Sequence, residues 1–263
     1  MPPFVLLETT ASVPSNSPIV AVVDILFPVG LALLHVFIGR LDAIEKILPR
    51  YRWLSLGAGV SIAYVFLDIL PELSHAQTEV DRSGIFLVEY LEKHVYVLAL
   101  VGLALFYGLE VLAVKSRREN ISEGQGDDTD PGVFWVHIGA FAIYNGLIGE
   151  LLSNTETRGM VETIILCVAL ALHFLANDAS LRNHHKKTYD RLGRWILAAA
   201  LMLGWVLGRA FDLNEAIVAA IWAFVAGGIL LNTLKEELPS DRQTCFRAFA
   251  IGMAAYGTIL LLV

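Results

Sequence analysis

The sequence predicts an all-α, polytopic membrane protein, a single domain over 1–263 with eight transmembrane helices. Three observations predict it. The chain is 56% hydrophobic and only 17% charged, with a mean hydropathy of +0.62, whereas a soluble domain of this length carries more charge. Long apolar runs recur from one end to the other, as bilayer-crossing helices require. Of the 19 Lys and Arg residues, 15 fall on one set of alternate connections and 4 on the other. That asymmetry places the odd-numbered connections in the cytoplasm and both termini outside, in the plasma (inner) membrane.

A crossing helix needs about 20 mostly apolar residues. The candidates are 19–39, 53–70, 95–114, 133–152, 161–178, 194–209, 215–234 and 246–263. Residues 1–18 lack a basic leader segment and read as an irregular tail rather than a cleaved signal. The first span carries Asp24, Pro28 and His35, and Pro28 loosens a helix midway. The second ends "AGVSIAYVFLDILP", Ala58 to Pro71. The seventh ends "AGGILLNTLKEELP", Ala226 to Pro239. Each copy has an Ala-Gly pair, an acid three residues before the proline (Asp68 or Glu236) and a leucine directly before it. The charge rule sends the second span outward and the seventh inward. Two copies of opposite direction are what an inverted repeat of helices 1–3 and 6–8 around a central pair gives, a 3+2+3 arrangement typical of carriers.

The cytoplasmic connections 115–132 and 179–193 read as loops. The first is acidic, with Asp127, Asp128 and Asp130, and reads as a flexible linker. The second carries His184 and His185 beside Lys186 and Lys187, and reads as a basic segment facing anionic lipid. Gly204 and Gly208 bracket a small-residue motif for close helix packing, within the chain or in a homodimer.

Polar groups in hydrocarbon are costly, so each needs a reason. Spans 4 and 5 hold the most: His137, Asn145 and Glu150, then His173, Asn177 and Asp178. At about 1.5 Å per residue, Asn145 and His173 both lie near mid-membrane. His173 and Asn177 are one turn apart and share a face. Asn145, His173, Asn177 and His137 therefore form a candidate ladder from mid-membrane to the cytoplasm. Asp68, Glu72 and Glu150 lie at outer span ends and form a candidate acidic entrance, with Asp24 a weaker member. Asp178 reads as a helix-end group near the inner surface.

At these residues the chain resembles the ZIP (Zrt-/Irt-like) family of divalent metal transporters. "FLDILPELSHA" and "AGGILLNTLKEELP" are similar to that family's span-2 and span-7 endings. "AIYNGLIGE" resembles its span-4 Asp-Gly region, with Asn145 at the aspartate. "HFLANDASL" resembles its His-Asn-x-Pro-Glu-Gly motif, with His173 at the histidine and Asn177 at the glutamate. The chain departs from the family at Phe141 and Ala142, which stand where span 4 has His-Asn, at Ala176 for the proline, and in span 6, which has no buried carboxylate. The resemblance implies alternating-access passage of zinc, manganese, iron or cadmium. The departures imply that a tight binuclear zinc site is absent and that one His with amide oxygens holds the ion weakly. The alternative is a non-transporting membrane sensor or partner protein on the same fold.

Other classes find no support. The two cysteines form no disulfide framework or zinc motif, and no His-x-x-x-His, phosphate loop or dinucleotide-binding glycine pattern occurs. The expectation is therefore no enzyme, no resident cofactor and no nucleic-acid partner; the partners are membrane lipid and the transported metal ion.

Overall fold

A computed structural model describes residues 18–37, 50–71, 73–74, 95–153, 160–211, 213–237 and 245–262. Among these, eight long helices follow one another: α1 (Pro18–Phe37), α2 (Arg50–Tyr64), α3 (Val95–Ser122), α4 (Pro131–Ser153), α5 (Met160–Thr188), α6 (Arg194–Ala210), α7 (Glu215–Glu237) and α8 (Phe246–Leu262). Short π-helical turns, Val65–Ile69 and Tyr189–Gly193, extend α2 and lead into α6. Five stretches are long and apolar enough to cross a bilayer; one of them, Thr163–Ala210, contains α5 and α6. The architecture is that of a helical membrane protein. The 1–18 tail lies almost wholly outside the described residues, as do Glu72 and Pro239, and nothing is described of Asp24's side chain.

The helices are apolar on both faces, for different reasons. On α3 the buried positions Ala99, Gly102, Phe106, Leu109 and Ala113 recur every three or four residues, one face of a helix. The opposite face exposes Leu100, Leu105 and Tyr107. In water such a belt would drive aggregation; against lipid it is the expected surface.

Without a hydrophobic force between helices in lipid, close packing of small residues holds them together. Three interfaces use it. A side chain on Gly59 of α2 would strike the backbone of Phe249 and Met253 on α8, and one on Gly252 of α8 would strike Leu56 on α2. A side chain on Gly227 of α7 would strike Ala99 and Leu103 on α3, and one on Gly102 would strike Phe224 on α7. A side chain on Gly149 of α4 would strike the backbone of Leu201 and Trp205 on α6, and one on Gly204 of α6 would strike Gly146 on α4. The Gly204–Gly208 motif therefore packs within the chain, against Gly146, Glu150 and Ser153.

Paired contacts also give direction. Gly252 meets Leu56 and Gly257 meets Ala63 and Leu67, so α2 and α8 run parallel. Gly102 with Phe224 and Phe106 with Gly228 make α3 and α7 parallel; Gly146 with Gly204 and Ser153 with Gly208 do the same for α4 and α6. The end of α1 lies beside the start of α6, where Arg194 Nη1 donates to the Val36 carbonyl at 3.1 Å.

Two expected loops are not loops. Residues 115–122 continue α3, leaving only 123–130 as linker. That linker is fastened by Arg117 to Asp127, by Asn120 Nδ2 donating to the Asp128 carbonyl at 2.8 Å, and by the Asp130 amide donating to Ser116 Oγ at 2.9 Å. Residues 179–185 continue α5, which turns at Lys186, whose φ of 44° is the left-handed backbone that side-chain-bearing residues seldom adopt. The helix runs past 178 although its last turns are polar, because His184 and His185 are buried there and not solvated.

Candidate functional site

The four residues of the expected ladder are all buried, but they enter three separate hydrogen-bonded groups. His173 and Asn177 do meet: His173 Nε2 lies 2.9 Å from Asn177 Nδ2 and 2.9 Å from Tyr144 Oη. The i, i+4 spacing on α5 brings the first pair together, and α4 supplies the tyrosine.

Asn145 turns elsewhere. Its Oδ1 is 2.9 Å from His35 Nε2, and its Nδ2 donates to the Phe141 carbonyl at 2.8 Å. His35 Nδ1 in turn sits 2.8 and 2.9 Å from the two oxygens of Asp178. This corrects the reading of Asp178 as a surface helix-end group. It is fully buried, hydrogen-bonded across to His35 of α1, and two turns short of the kink that breaks the helix at Lys186.

His137, in the second turn of α4, joins a third group with the middle of α3 and the ends of α5 and α7. Its Nδ1 is 2.9 Å from His185 Nε2, and His185 Nδ1 contacts Thr129 Oγ1 in the linker. Beside them, His184 Nε2 lies 3.0 Å from Glu110 Oε1, while Lys235 Nζ donates to Glu110 Oε2 and to Ser180 Oγ, both at 2.8 Å. The reading of His184 and His185 as a lipid-facing basic segment is therefore corrected: both are buried. Glu110 and Lys235 were missed in sequence. The signal was present, since Glu110 is the one acid within 95–114.

Of the expected outer entrance, Glu72 lies outside the described residues. Asp68 lies in the π turn that follows α2, on the helix that packs against α8. Glu150 is buried on α4 next to Gly208 of α6, and neither of its carboxylate oxygens has a hydrogen-bond partner. Among the described residues, no three His, Cys, Asp or Glu side chains come together as a metal-holding group.

One cleft reaches His173. It is about 390 Å³ including its open mouth. Its walls are Trp53, Gly57, Ala58 and Ser61 of α2, Leu172, His173 and Ala176 of α5, and Asn232 and Thr233 of α7. Four polar side chains therefore face a space bounded by three helices, and His173 is the one ionisable group among its lining residues. A hydrogen-bonding solute or a partly hydrated ion suits such a lining better than a bare divalent ion, whose desolvation it offsets poorly.

No family model, curated protein or solved structure matches the chain.

Proposed function

We propose that this protein is a carrier of ZIP-like architecture that passes a divalent metal ion across the plasma membrane by alternating access, through a weak site at His173. The observation that carries the reading is a repeated contact with exchanged partners. A shift of 168 positions takes Leu56 and Gly59 of α2 to Phe224 and Gly227 of α7. A shift of 150 takes Ala99, Gly102 and Leu103 of α3 to Phe249, Gly252 and Met253 of α8. The α2–α8 interface is thus reproduced, atom group for atom group, as the α7–α3 interface. Each interface takes one helix from 1–3 and one from 6–8, with the partners exchanged. The same glycine contact recurs between α4 and α6, so the contact alone does not carry the reading; the exchange of partners between equivalent helices is what an inverted repeat with eight crossings produces.

The Ala-Gly pair shared by the two proline-ended segments is the contact residue in both copies. The cleft lies where α2 and α7, the equivalent helices, approach α5. Rocking one half against the other would open that cleft first to one side and then to the other. The parallel pairing of even-numbered helices with even, and odd with odd, supports a chain that reverses at every connection, with the basic connections inside.

The test is uptake of Zn, Mn, Fe and Cd ions into vesicles reconstituted with the full chain. The expected result is metal uptake that His173→Ala lowers by about tenfold or more, the cost of losing a metal ligand or its support. Uptake of all four ions unaffected by the substitution overturns the site.

A second reading has its own observation. His173 Nε2 already has two partners, Tyr144 and Asn177. A nitrogen so occupied favours a non-transporting sensor or partner protein on the same fold. Titration calorimetry separates the two: no heat with millimolar Zn or Mn ions and a folded protein supports the second.

A further inference from the structure

The cleft contains polar atoms for which the fold has no use. Asn232 is 6% exposed and Thr233 is 4% exposed, yet Asn232 Nδ2 and Thr233 Oγ1 have no hydrogen-bond partner among the described residues. A buried donor left unpaired is a standing cost to the fold. A threonine inside a helix ordinarily removes it by bonding to the carbonyl one turn earlier, and Thr233 does not. Both residues line the cleft, together with Ser61. The remaining walls, His173 aside, are apolar: Trp53, Gly57, Ala58, Leu172 and Ala176.

The lining carries no charge. No Asp, Glu, Lys or Arg is among its residues. His173 is neutral as well: Asn177 Nδ2 faces its Nε2 at 2.9 Å, and a donor there requires Nε2 to be the unprotonated nitrogen. Lys235, two residues beyond Thr233, is already taken by Glu110 and Ser180. An ion of either sign finds no counter-charge there to offset the loss of its water. An uncharged solute loses much less, and one with an oxygen acceptor gains the bond that Asn232 Nδ2 lacks. Thr233 Oγ1 then donates to, or accepts from, a second polar group of the same molecule. We infer that the cleft binds a small uncharged molecule, an amide or alcohol of few carbon atoms. Its carbonyl or hydroxyl oxygen is held by Asn232 and Thr233, and its short apolar body lies against the apolar walls. The inference goes beyond the carrier reading and does not rest on it: an ion in transit is held weakly, whereas this solute is the molecule that the cleft fits.

The experiment is ligand-observed NMR on the purified full-length protein in detergent, without metal ions, using two matched pairs of probes. Acetamide and acetate share one shape and differ in charge, as do urea and guanidinium. Few-atom ligands bind weakly even when well matched, so the neutral probes should bind in the millimolar range. Acetate and guanidinium should bind about tenfold more weakly or worse. Asn232→Leu and Thr233→Val each remove a hydrogen-bonding group and should weaken acetamide binding several-fold, while Thr233→Ser should keep wild-type affinity. Asn232→Asp replaces the amide donor by a carboxylate and should reverse the preference, to guanidinium over urea. Charged probes that bind the wild type as well as neutral ones overturn the inference, and so do neutral probes whose binding none of these variants changes. No saturable binding of either neutral probe would mean that the cleft takes water only, which overturns it too. Should the variants at 232 fail to fold, Thr233→Val against Thr233→Ser decides the matter. Because no metal ion is present, the uptake assay with His173→Ala stands or falls separately.

Discussion

The central cleft and the knot that joins Glu110 of α3 to the ends of α5 and α7 are both polar and both bounded by helices, but their polar groups are satisfied to different degrees. In the knot, Glu110 is shared between His184 and Lys235, Lys235 also reaches Ser180, and His185 bridges His137 and Thr129, which leaves His184 Nδ1 as the one atom of these side chains without a partner among the described residues. In the cleft, Asn232 Nδ2 and Thr233 Oγ1 are left without partners. A network whose members answer one another rigidifies a fold. A set of buried groups that answer nothing within the chain points to something from outside it. The comparison therefore separates a structural cluster from a binding one, although both contain histidines and either would attract attention in a sequence.

The comparison breaks most visibly at Glu110. Glu110→Gln keeps the shape but leaves Lys235 without its carboxylate, and should cost about 3 kcal/mol, the low end for a buried pair because both side chains are about a fifth exposed. Reversible unfolding in mixed micelles measures it; a loss below about 1 kcal/mol would mean that the knot is not a structural cluster. Next in size are the two equivalent glycines. Gly59→Ala and Gly227→Ala each force a methyl group into a facing backbone and should each cost about 1–3 kcal/mol. Similar losses at both sharpen the repeat, whereas a large loss at one with none at the other argues against it. Smaller still is Thr233→Val, which removes an unanswered hydroxyl and should leave stability unchanged or raise it by up to about 1 kcal/mol. A clear loss there would show that the hydroxyl has a structural partner.

The smallest expected effect lies outside the membrane. The hydrogen bond from Arg117, ahead of attraction to Arg117 and Lys186, holds the Asp127 carboxyl down to about 2 from an ordinary value of 3.8. A depressed carboxylate contributes stability above its unfolded-state value and loses it as pH falls through the folded one. The linker contact should therefore be intact above about pH 4 and lost toward pH 2, and worth less than about 1 kcal/mol because Asp127 is exposed. Asp127→Ala should flatten that part of the pH–stability curve and little else.

The helices were legible because apolar runs of bilayer length are a strong signal; each candidate segment falls on a helix, and five stretches among the described residues are long and apolar enough to cross a bilayer. Their polar ends were not legible. α3 extends past its apolar run because Ser116, Arg117 and Asn120 bond to the linker, and α5 because His184 and His185 bond to neighbouring helices, which no hydropathy pattern encodes. The pairing of His173 with Asn177 followed from one-turn spacing on a single helix. The pairs His35 with Asp178 and Glu110 with Lys235 are long-range, and depend on crossings that a sequence does not state. Asn232 and Thr233 lie in an apolar run, and only the fold brings them to the same lining as His173.

The most direct test of the central claim is the accessibility of the cleft from each side of the membrane. In a chain with Cys167 and Cys245 replaced by Ala, Ser61→Cys places one thiol on the α2 wall. An impermeant thiol reagent is applied to either face of oriented vesicles, with and without Mn ions. Alternating access predicts labelling from both faces, with Mn ions shifting the ratio between them. Labelling from one face alone, at a rate that Mn ions do not change, would contradict it.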